Sequence, residues 1–471
     1  VSDRVPLHKV GGALRTHLLS SLCQIFDPFC VLIVSGDAMD LSEKITHHSA
    51  LVSIIGLGYV GLPLAVAFAE AGLNVIGIDT NREKIDAINR GESYIQDVSS
   101  AQLLGIRPRL AATTDFGRLS DADAAIICVP TPLDGAQCPD MSFVLNAADE
   151  IASRLHEGML VVLESTTYPG TTEELILPRL ESAGGTKLLV GEHFFLAFSP
   201  ERTDPGRTDW TLYSTPKVIG GVTPQCLDMA QALYRSVVET VIPVSSTKVA
   251  ETAKLLENTF RAVNIGMVNE LAIMCDRLGV DVWEVVDAAG TKPFGFMPFY
   301  PGPGTGGHCI PIDPLYLAWK MRALDYEPRL IQASMQINDD MPRYVLARIS
   351  FALKQQGKTL KGSKVIVLGV AYKPDIGDTR KSPALDLLRL LKESEADVSY
   401  HDPYVPELDL DDLCMCSVGL NEQVLKASDC VVVVTPHTSY DWKSVAENSS
   451  LVLDTRNALK GIYGKGRVVK L

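Results

Sequence analysis

The sequence lacks a surplus of positive charge. Its 471 residues carry a formal net charge of −14, whereas nucleic acids and anionic membranes are bound by dense positive surfaces. We therefore expect neither a nucleic acid nor a membrane as a partner. A phosphorylated ligand remains compatible with this charge, provided that lysines and arginines are gathered at one place.

A disulfide framework is missing as well. Ten cysteines are scattered over the chain, and most stand in apolar stretches, as Cys128 and Cys430 do. This pattern is typical of buried, reduced thiols in a cytosolic protein, so we expect a cytoplasmic location. Cys414 and Cys416 form a Cys-x-Cys pair, but no second pair or nearby histidine completes a zinc site. We predict a structural role for both and no metal.

No uninterrupted apolar run near the start is long enough to cross a bilayer. The stretch 18–34 is broken by polar residues and a proline, and it has no clean cleavage site. A methionine at position 39 comes just ahead of the first clear strand. We therefore expect residues 1–49 to be a disordered extension, of which the residues upstream of Met39 arise from an over-extended start codon and carry no function. The remaining length suits two or three domains.

A strand, a glycine-rich turn and a helix follow one another from position 51. The run LVSIIG leads into GLGYVGLPLAVAFAEAG, so Gly56, Gly58 and Gly61 stand between a predicted strand and a predicted helix. This is the context that a dinucleotide-binding turn requires. The glycines allow a tight turn, close approach of the backbone to a pyrophosphate, and close helix packing.

The residues around this turn favour NAD. Asp79 ends the next strand, where its carboxylate would bind the ribose hydroxyls and repel the 2′-phosphate of NADP. Lys84 is either near the adenosine end or a solvated surface lysine. Tyr59 and Val60 lie within the turn, and Thr131 lies in a loop beside the expected nicotinamide.

Further strand-like runs at 124–129, 159–164 and 192–198 alternate with helical stretches. This alternation predicts a doubly wound parallel sheet. Ligands of such sheets bind at the carboxyl ends of the strands. The loops 129–132 and 165–170 fall at those ends and carry hydroxyl groups and prolines, although ordinary turns would explain them too.

The middle of the chain combines a long helix with a glycine-rich loop. Residues 246–279 form a proline-free helical pattern in which Lys254 and Asn258 share one face. Downstream, the segment FYPGPGTGGHCIPIDP surrounds Cys309 with glycines and places Asp313 four residues later. Without a functional site, Lys254 and Asn258 would be a solvated surface pair, and Cys309 would be an incidental cysteine in a glycine-rich turn. Glycine is poor packing material, however, so we predict a site here.

A thiol has a specific use in an NAD enzyme. Oxidising an alcohol to an aldehyde needs one hydride transfer, but oxidation to the acid first requires a nucleophile on the aldehyde carbon. A thiolate on Cys309 would give a thiohemiacetal, then a thioester that water hydrolyses. Lys254 and Asn258 would stabilise the oxyanions, and Lys254 would lower the pKa of Cys309. Asp313 would orient the water or move a proton.

At these residues the sequence resembles the UDP-glucose/GDP-mannose dehydrogenase family, over nearly all of residues 50–471. The likeness is carried by GLGYVGLPLA, STTYPG, SPER, KLLEN, GTGGHCIPIDP and YKPDIGDTR. It implies an α/β protein with two Rossmann-like, doubly wound parallel-sheet domains joined by a long central helix. The NAD-binding domain would span 50–245, a central helical segment with the homodimer contact 246–345, and a UDP-sugar-binding domain 346–471.

The resemblance also implies roles for single residues. The family's catalytic residues fall on Cys309, Lys254, Asn258, Asp313, Glu201 and Thr166. Its sugar-nucleotide contacts fall on Lys373 and Arg456, and Arg380 matches an arginine that reaches the cofactor. Tyr300 belongs to an aromatic segment that is placed to touch the sugar ring, although core packing would explain the same aromatics.

Two departures favour one branch of the family. Pro205, in SPERTDPG, stands where UDP-glucose enzymes typically have a second glutamate, and PFYPGPG replaces their lysine-containing loop. We therefore expect UDP-N-acetylglucosamine or its galacto epimer as substrate rather than UDP-glucose. His308 would tune Cys309 or serve a structural role. The alternatives are a UDP-glucose or other nucleotide-sugar dehydrogenase, a one-step hydroxyacid dehydrogenase, or a non-catalytic NAD-binding regulator.

Overall fold

The computed structural model describes residues 39–95, 97–182, 188–204, 209–410 and 412–471. These residues form two sheet domains with a helical region between them, as the sequence predicted.

The first domain is built on an eight-stranded sheet. Its strands are β1 (Leu51–Ile55), β2 (Asn74–Ile78), β3 (Leu110–Thr113), β4 (Ala124–Ile127), β5 (Leu160–Leu163), β6 (Phe195–Phe198), β7 (Lys217–Gly221) and β8 (Val241–Val244). Their spatial order is β3-β2-β1-β4-β5-β6-β7-β8. The first six strands are parallel, which confirms the predicted doubly wound sheet. β7 pairs antiparallel with β6, and β8 follows β7 in parallel, so the last two strands run the opposite way.

Helices cover both faces of this sheet. They are α1 (Leu41–Thr46), α2 (Gly61–Glu70), α3 (Arg82–Arg90), α4 (Ser100–Ile106), α5 (Ser142–Ala152), α6 (Leu177–Glu181) and α7 (Pro224–Tyr234), with a 3-10 turn at Phe116–Asp121 and a π-helical turn at Thr172–Ile176. Phe68 of α2 and Leu233 of α7 belong to the core on one face. Val144 and Ile151 of α5 belong to the core on the other. β4 and β5 are buried on both faces, which explains their continuous apolar runs.

The chain joins this domain earlier than predicted. Asp40 and Glu43 form a reciprocal cap on α1, and Leu41 and Ile45 are buried in the core of the first domain. Lys44 pairs with Asp123 at 2.6 Å. The prediction that residues 1–49 are disordered is therefore wrong for residues 40–49, because two apolar side chains one helical turn apart dock on the domain. Residues 1–38 lie outside the described residues.

The central region follows the predicted long helix closely. α8 (Thr247–Leu278) has 32 residues; Ser246 caps its start, and Gly279 ends it in the left-handed conformation at φ 70°. α9 (Val282–Gly290), α10 (Asp313–Arg322) and α11 (Arg329–Lys354) follow. The predicted boundary at residue 345 falls inside α11, whose last turns belong to the core of the third domain.

The third domain contains a five-stranded parallel sheet and a hairpin. Its elements are β9 (Lys364–Leu368), α12 (Pro383–Glu393), β10 (Asp397–His401), β11 (Glu407–Leu410), β12 (Leu413–Cys416), α13 (Glu422–Ala427), β13 (Cys430–Val433), α14 (Trp442–Asn448), β14 (Leu451–Asp454) and β15 (Arg467–Lys470). The sheet order is β10-β9-β13-β14-β15, and β11 pairs with β12.

Of the cysteines that the structure describes, half are buried as expected, whereas one is partly exposed and three are exposed. Eight of them carry free thiols; Cys128 and Cys430 are buried, whereas Cys414 and Cys416 are exposed on the hairpin. Within the described ranges, no helix has both the length and the apolar character to span a bilayer.

Candidate active site

The glycine-rich turn between β1 and α2 fits a dinucleotide pyrophosphate. A Cβ on Gly61 would lie 1.8 Å from the Gly56 carbonyl oxygen, whereas a Cβ on Gly58 would meet nothing within 4 Å. The turn therefore packs tightly against itself at Gly61, whereas the space beside Gly58 is open. No side chain caps the start of α2, where Val60 is the first flanking residue. The helix N-terminus is therefore open to an anion, although the Leu62 amide already donates to the Gly58 carbonyl.

Asp79 stabilises this turn. Its Oδ2 accepts a hydrogen bond from the Leu57 amide at 2.9 Å, and its Oδ1 accepts one from Asn81 at 2.9 Å. Lys84 Nζ lies 3.4 Å from the same carboxylate. Lys84 is thus held at the end of β2 and is not a lone surface lysine.

The two loops at the carboxyl ends of β4 and β5 are tied to the central helices. The Thr131 carbonyl accepts a hydrogen bond from the Tyr316 hydroxyl of α10 at 2.8 Å. Beyond Thr166, Glu251 of α8 accepts hydrogen bonds from the amides of Gly170 at 2.5 Å and Thr172 at 2.9 Å. Burial raises the pKa of Glu251 to about 7. The long helix therefore fixes the loop that carries Thr166.

Four residues predicted to carry the chemistry come together where α8 meets the start of α10. Asn258 Nδ2 donates to Asp313 Oδ2 at 2.5 Å, and the Asp313 amide donates to the Cys309 carbonyl at 2.9 Å. Lys254 is buried one turn before Asn258 on α8. Burial raises the pKa of Asp313 to about 6, although the charge of Lys254 and the hydrogen bond from Asn258 lower it.

The Cys309 thiol is reached by solvent but lies in a crowded recess. Burial raises its pKa, and the charge of Asp313 adds to that effect. Lys254, Arg380 and Arg261 act in the opposite direction without overcoming it. The charge of Lys254 thus lowers the pKa of Cys309 as predicted. The expectation of a lowered pKa overall was wrong, because desolvation and the Asp313 carboxylate outweigh the cations.

Glu201 approaches the same place from the end of β6. Its Oε1 accepts hydrogen bonds from the amides of Arg202 at 2.8 Å and Thr203 at 2.6 Å, and its Oε2 lies 3.3 Å from Lys217 Nζ. Burial alone would raise the pKa of Glu201. Lys217, the Thr203 hydrogen bonds and Lys254 outweigh burial and hold the pKa at about 2.

The third domain reaches this cluster through Arg380. The Arg380 carbonyl accepts a hydrogen bond from Gly307 at 3.0 Å, and its guanidinium lies 4.8 Å from the centre of the Tyr59 ring. Asp378 pairs with the guanidinium at 2.6 Å. Burial and the charge of Arg380 lower the pKa of His308. Arg380 therefore links the Cys309 loop to the dinucleotide turn.

Comparison with known proteins identifies the three parts of the chain. Residues 50–238 match the NAD binding domain of the UDP-glucose/GDP-mannose dehydrogenase family, residues 248–340 its central domain, and residues 366–461 its UDP binding domain. The chain belongs to the UDP-glucose/GDP-mannose dehydrogenase family. It is accordingly an NAD-dependent dehydrogenase of nucleotide sugars, and the open, uncapped turn at Gly58 fits that cofactor.

Individual members of this dehydrogenase family resemble the chain over most of its length. A UDP-N-acetyl-D-glucosamine 6-dehydrogenase from Pseudomonas aeruginosa is 39% identical over 355 residues, which are 75% of this chain and 83% of the relative. A solved UDP-D-ManNAc dehydrogenase from Pyrococcus horikoshii has a TM-score of 0.79 at 32% identity, covering 89% of this chain and 98% of that one. A UDP-glucose dehydrogenase from Pyrobaculum islandicum has a TM-score of 0.77 at 29% identity, covering 93% and 98%. The overall fold thus does not discriminate between sugars.

Two cations of the UDP binding domain contact the other two parts of the chain. Lys373 Nζ pairs with Asp204, just beyond Glu201, at 2.8 Å. Arg456 donates to the Val434 carbonyl at 2.9 Å, and a Cβ on Gly302 would lie 2.2 Å from its guanidinium. A side chain at position 302 would therefore have to displace the end of Arg456, which passes close to the Cys309 loop. Burial lowers the pKa of Arg456 to about 10.

Tyr300 is engaged in a packing contact. Its ring stacks on Trp283 with 5.6 Å between ring centres, and its hydroxyl donates to Asp287 at 2.9 Å. A sugar contact by Tyr300 stays a prediction, because the hydroxyl already has a partner on α9.

A cavity of about 410 Å³ beside Glu201 contains residues that the sequence analysis missed. Its lining consists of Arg202, Thr203, Asp204, Trp210, Thr215, Pro216 and Arg261. Arg261 follows Asn258 by three positions and Lys254 by seven, so helical spacing on α8 would have revealed it. Lys217 and Glu251 carry no comparable sequence signal, because their partners are distant in the chain.

Proposed function

We propose that the protein oxidises the terminal CH2OH of a UDP-N-acetylhexosamine, UDP-N-acetylglucosamine first, to the carboxylate through a thioester on Cys309. The observation that carries this proposal is the grouping of Lys254, Asn258 and Asp313 beside Cys309, between the NAD-binding and UDP-binding domains. A one-step alcohol dehydrogenase has no use for the thiol, and a non-catalytic regulator has no use for the full set.

The reaction proceeds in three steps. In the first, the alcohol carbon loses a hydride and its oxygen loses a proton, which leaves an aldehyde. In the second, the Cys309 sulfur bonds to the aldehyde carbon, and loss of a hydride from that carbon leaves the thioester. In the third, water adds to the thioester, the carbon–sulfur bond breaks, and the thiolate and carboxylate are released. NAD, when bound, takes up the hydride in both oxidations.

The polar residues have different roles in these steps, according to their charge. The Lys254 ammonium and the Asn258 amide donate hydrogen bonds to the oxyanion of each tetrahedral stage. Asp313 accepts the protons of Cys309 and of the hydrolytic water, since a pKa of about 6 suits proton transfer near neutral pH. Glu201, with a pKa of about 2, stays ionised throughout and orients water as a hydrogen-bond acceptor. Thr166 lies in the loop at the end of β5, which is the nicotinamide side of the sheet.

The N-acetyl preference rests on the sequence departures at the SPERTDPG and PFYPGPG segments and on the names of the relatives. The Pseudomonas aeruginosa relative, 39% identical, is a UDP-N-acetyl-D-glucosamine enzyme. UDP-glucose is the alternative substrate. A buried polar group left without its partner costs ~1–3 kcal/mol, so kcat/KM for a UDP-N-acetylhexosamine should exceed that for UDP-glucose by at least roughly tenfold.

A substrate panel with purified enzyme tests this preference. UDP-N-acetylglucosamine, UDP-N-acetylgalactosamine and UDP-N-acetylmannosamine are compared with UDP-glucose and GDP-mannose by NADH absorbance. A higher kcat/KM for UDP-glucose would reject the N-acetyl assignment. Acid quenching during turnover, followed by intact mass measurement, tests the covalent step, and an adduct that persists in Cys309→Ala would reject it.

We also propose a homodimer formed through α8. Large apolar side chains on this helix are exposed at spacings of four and seven residues, namely Leu256, Phe260, Met267, Met274 and Leu278. A second copy of the helix is the occupant with a matching face. Sedimentation should give a dimer mass, and Met267→Glu should give a monomer; a monomeric wild-type protein would reject the dimer.

A further inference from the structure

A buried ion cluster lies at the carboxyl ends of β5 and β6. Lys217 Nζ lies 2.9 Å from Glu164 Oε1 and 3.3 Å from Glu201 Oε2. The three side chains are 5%, 0% and 14% exposed, respectively. The Tyr234 hydroxyl donates to Glu164 Oε1, the same oxygen that Lys217 contacts. One cation is therefore shared by two carboxylates, of which Glu201 is the less buried.

The direction of β7 places this cation. In the antiparallel pairing, Phe198 of β6 lies opposite Gly220 of β7. Continuing that register by three residues brings Glu201 opposite Lys217. A β7 parallel to its neighbour would begin at the other edge of the sheet, so the reversed strand is the feature that brings the ammonium to the carboxyl end of β6.

Glu201 has a defined set of charged and titratable neighbours. Its Oε1 is already occupied by two backbone amides, so Oε2 is the oxygen that needs a cation. The groups acting on the cluster are Lys217 of β7, Lys254 of α8, Glu164 after β5, Tyr234 of α7 and Cys128 after β4. A desolvated carboxylate without a cation takes up a proton or recruits another cation. Lys254 is the only other cation in this set.

We infer that Lys217 is a positioning residue for the oxidation proposed above. It holds Glu201 ionised and fixed, so that Lys254 stays available to the substrate oxyanion, while Glu164 and Tyr234 hold Lys217 itself. The inference rests on the proposed function, because it assigns Lys217 a place in that reaction.

The test compares Lys217→Met with Lys217→Arg in the full-length enzyme. Lys217→Met should lower kcat roughly tenfold or more and leave the Kd for NAD near that of the wild type. Loss of the cation also raises the pKa of Glu201. The acid limb of the kcat–pH profile, which Asp313 sets in the wild type, should therefore move to higher pH once Glu201 also takes up a proton. Lys217→Arg keeps the charge and should restore most of kcat and the original acid limb.

Two further variants separate positioning from stability. Glu164→Gln/Lys217→Met removes one charge of each sign, which avoids an uncompensated buried charge, and it should show the same displaced acid limb. Tyr234→Phe removes one hydroxyl from the cluster but keeps the Lys217 cation beside Glu201, so it should keep the wild-type limb. A wild-type acid limb in both variants that carry Lys217→Met would overturn the inference. So would a displacement in Tyr234→Phe equal to that in Lys217→Met.

The outcome for the wild-type enzyme separates this inference from the proposed function. If the wild type forms no NADH with any UDP-sugar, the proposed function fails and the inference fails with it. If the wild type is active and the loss of Lys217 leaves kcat and its acid limb unchanged, only the inference fails.

Discussion

Replacing Lys254 by methionine removes the buried cation that lies among Cys309, Asp313 and Glu201. The charge of Lys254 lowers the pKa of each of these three groups. Methionine fills a similar volume, so the helix should keep its packing. The variant therefore tests charge and hydrogen bonding at the proposed oxyanion position.

The expected loss follows from the number of donors that remain. Lys254 and Asn258 are the two proposed oxyanion donors, and losing one such donor costs about 10²–10³ in kcat, or about 2.7–4 kcal/mol. The thiohemiacetal and the tetrahedral adduct of hydrolysis both carry an oxyanion, so oxidation of the aldehyde and hydrolysis of the thioester should both slow. The pKa of Asp313, about 6 in the wild type, should rise without Lys254. An acid limb set by ionised Asp313 should then move to higher pH.

The assay is NADH formation in stopped-flow and steady-state experiments across pH. Lys248→Met is the matched control, because Lys248 lies on the same helix, half exposed, 3.5 Å from Glu174. Exposed pairs contribute little, so this control should behave as the wild type does. Turnover within about threefold of the wild type in Lys254→Met, with an unshifted acid limb, would refute the role assigned to Lys254.

Further substitutions test separate parts of the account. Cys309→Ser should retain NAD binding but stall turnover, because an oxygen ester hydrolyses far more slowly than a thioester; wild-type rates would reject the covalent route. Gly58→Ala should keep the melting temperature and weaken NAD binding, whereas Gly61→Ala should lower both, since only the second Cβ meets protein atoms; equal melting temperatures would contradict this reading. Glu251→Ala leaves three buried donors without a partner and should lower the free energy of unfolding by about 2–4 kcal/mol, measured by urea denaturation; a change below about 1 kcal/mol would contradict the anchoring role.

Local signals explain what the sequence predicted correctly. The first strand, turn and helix follow from β-branched residues, glycine spacing and apolar periodicity within one short segment. The ends of α8 were predictable because Ser246 and Gly279 are typical capping residues at its two ends. Lys254 and Asn258 were found because they stand four residues apart on that helix.

Contacts between distant segments explain what was missed. The reversal of β7 depends on its pairing with β6, and KVIGG carries no mark of strand direction. Lys217 consequently meets Glu164 and Glu201 through sheet register rather than through spacing in the sequence. The net shift of the Cys309 pKa likewise depends on burial and on Asp313, whose magnitudes a motif does not give.

The central claim is a four-electron oxidation in a single active site. Its most direct test is the ratio of NADH formed to UDP-N-acetylglucosamine consumed, with the sugar limiting and NAD in excess. We predict two NADH per sugar, with the uronic acid as the only product. A ratio of one, with an aldehyde or ketone accumulating, would contradict the account.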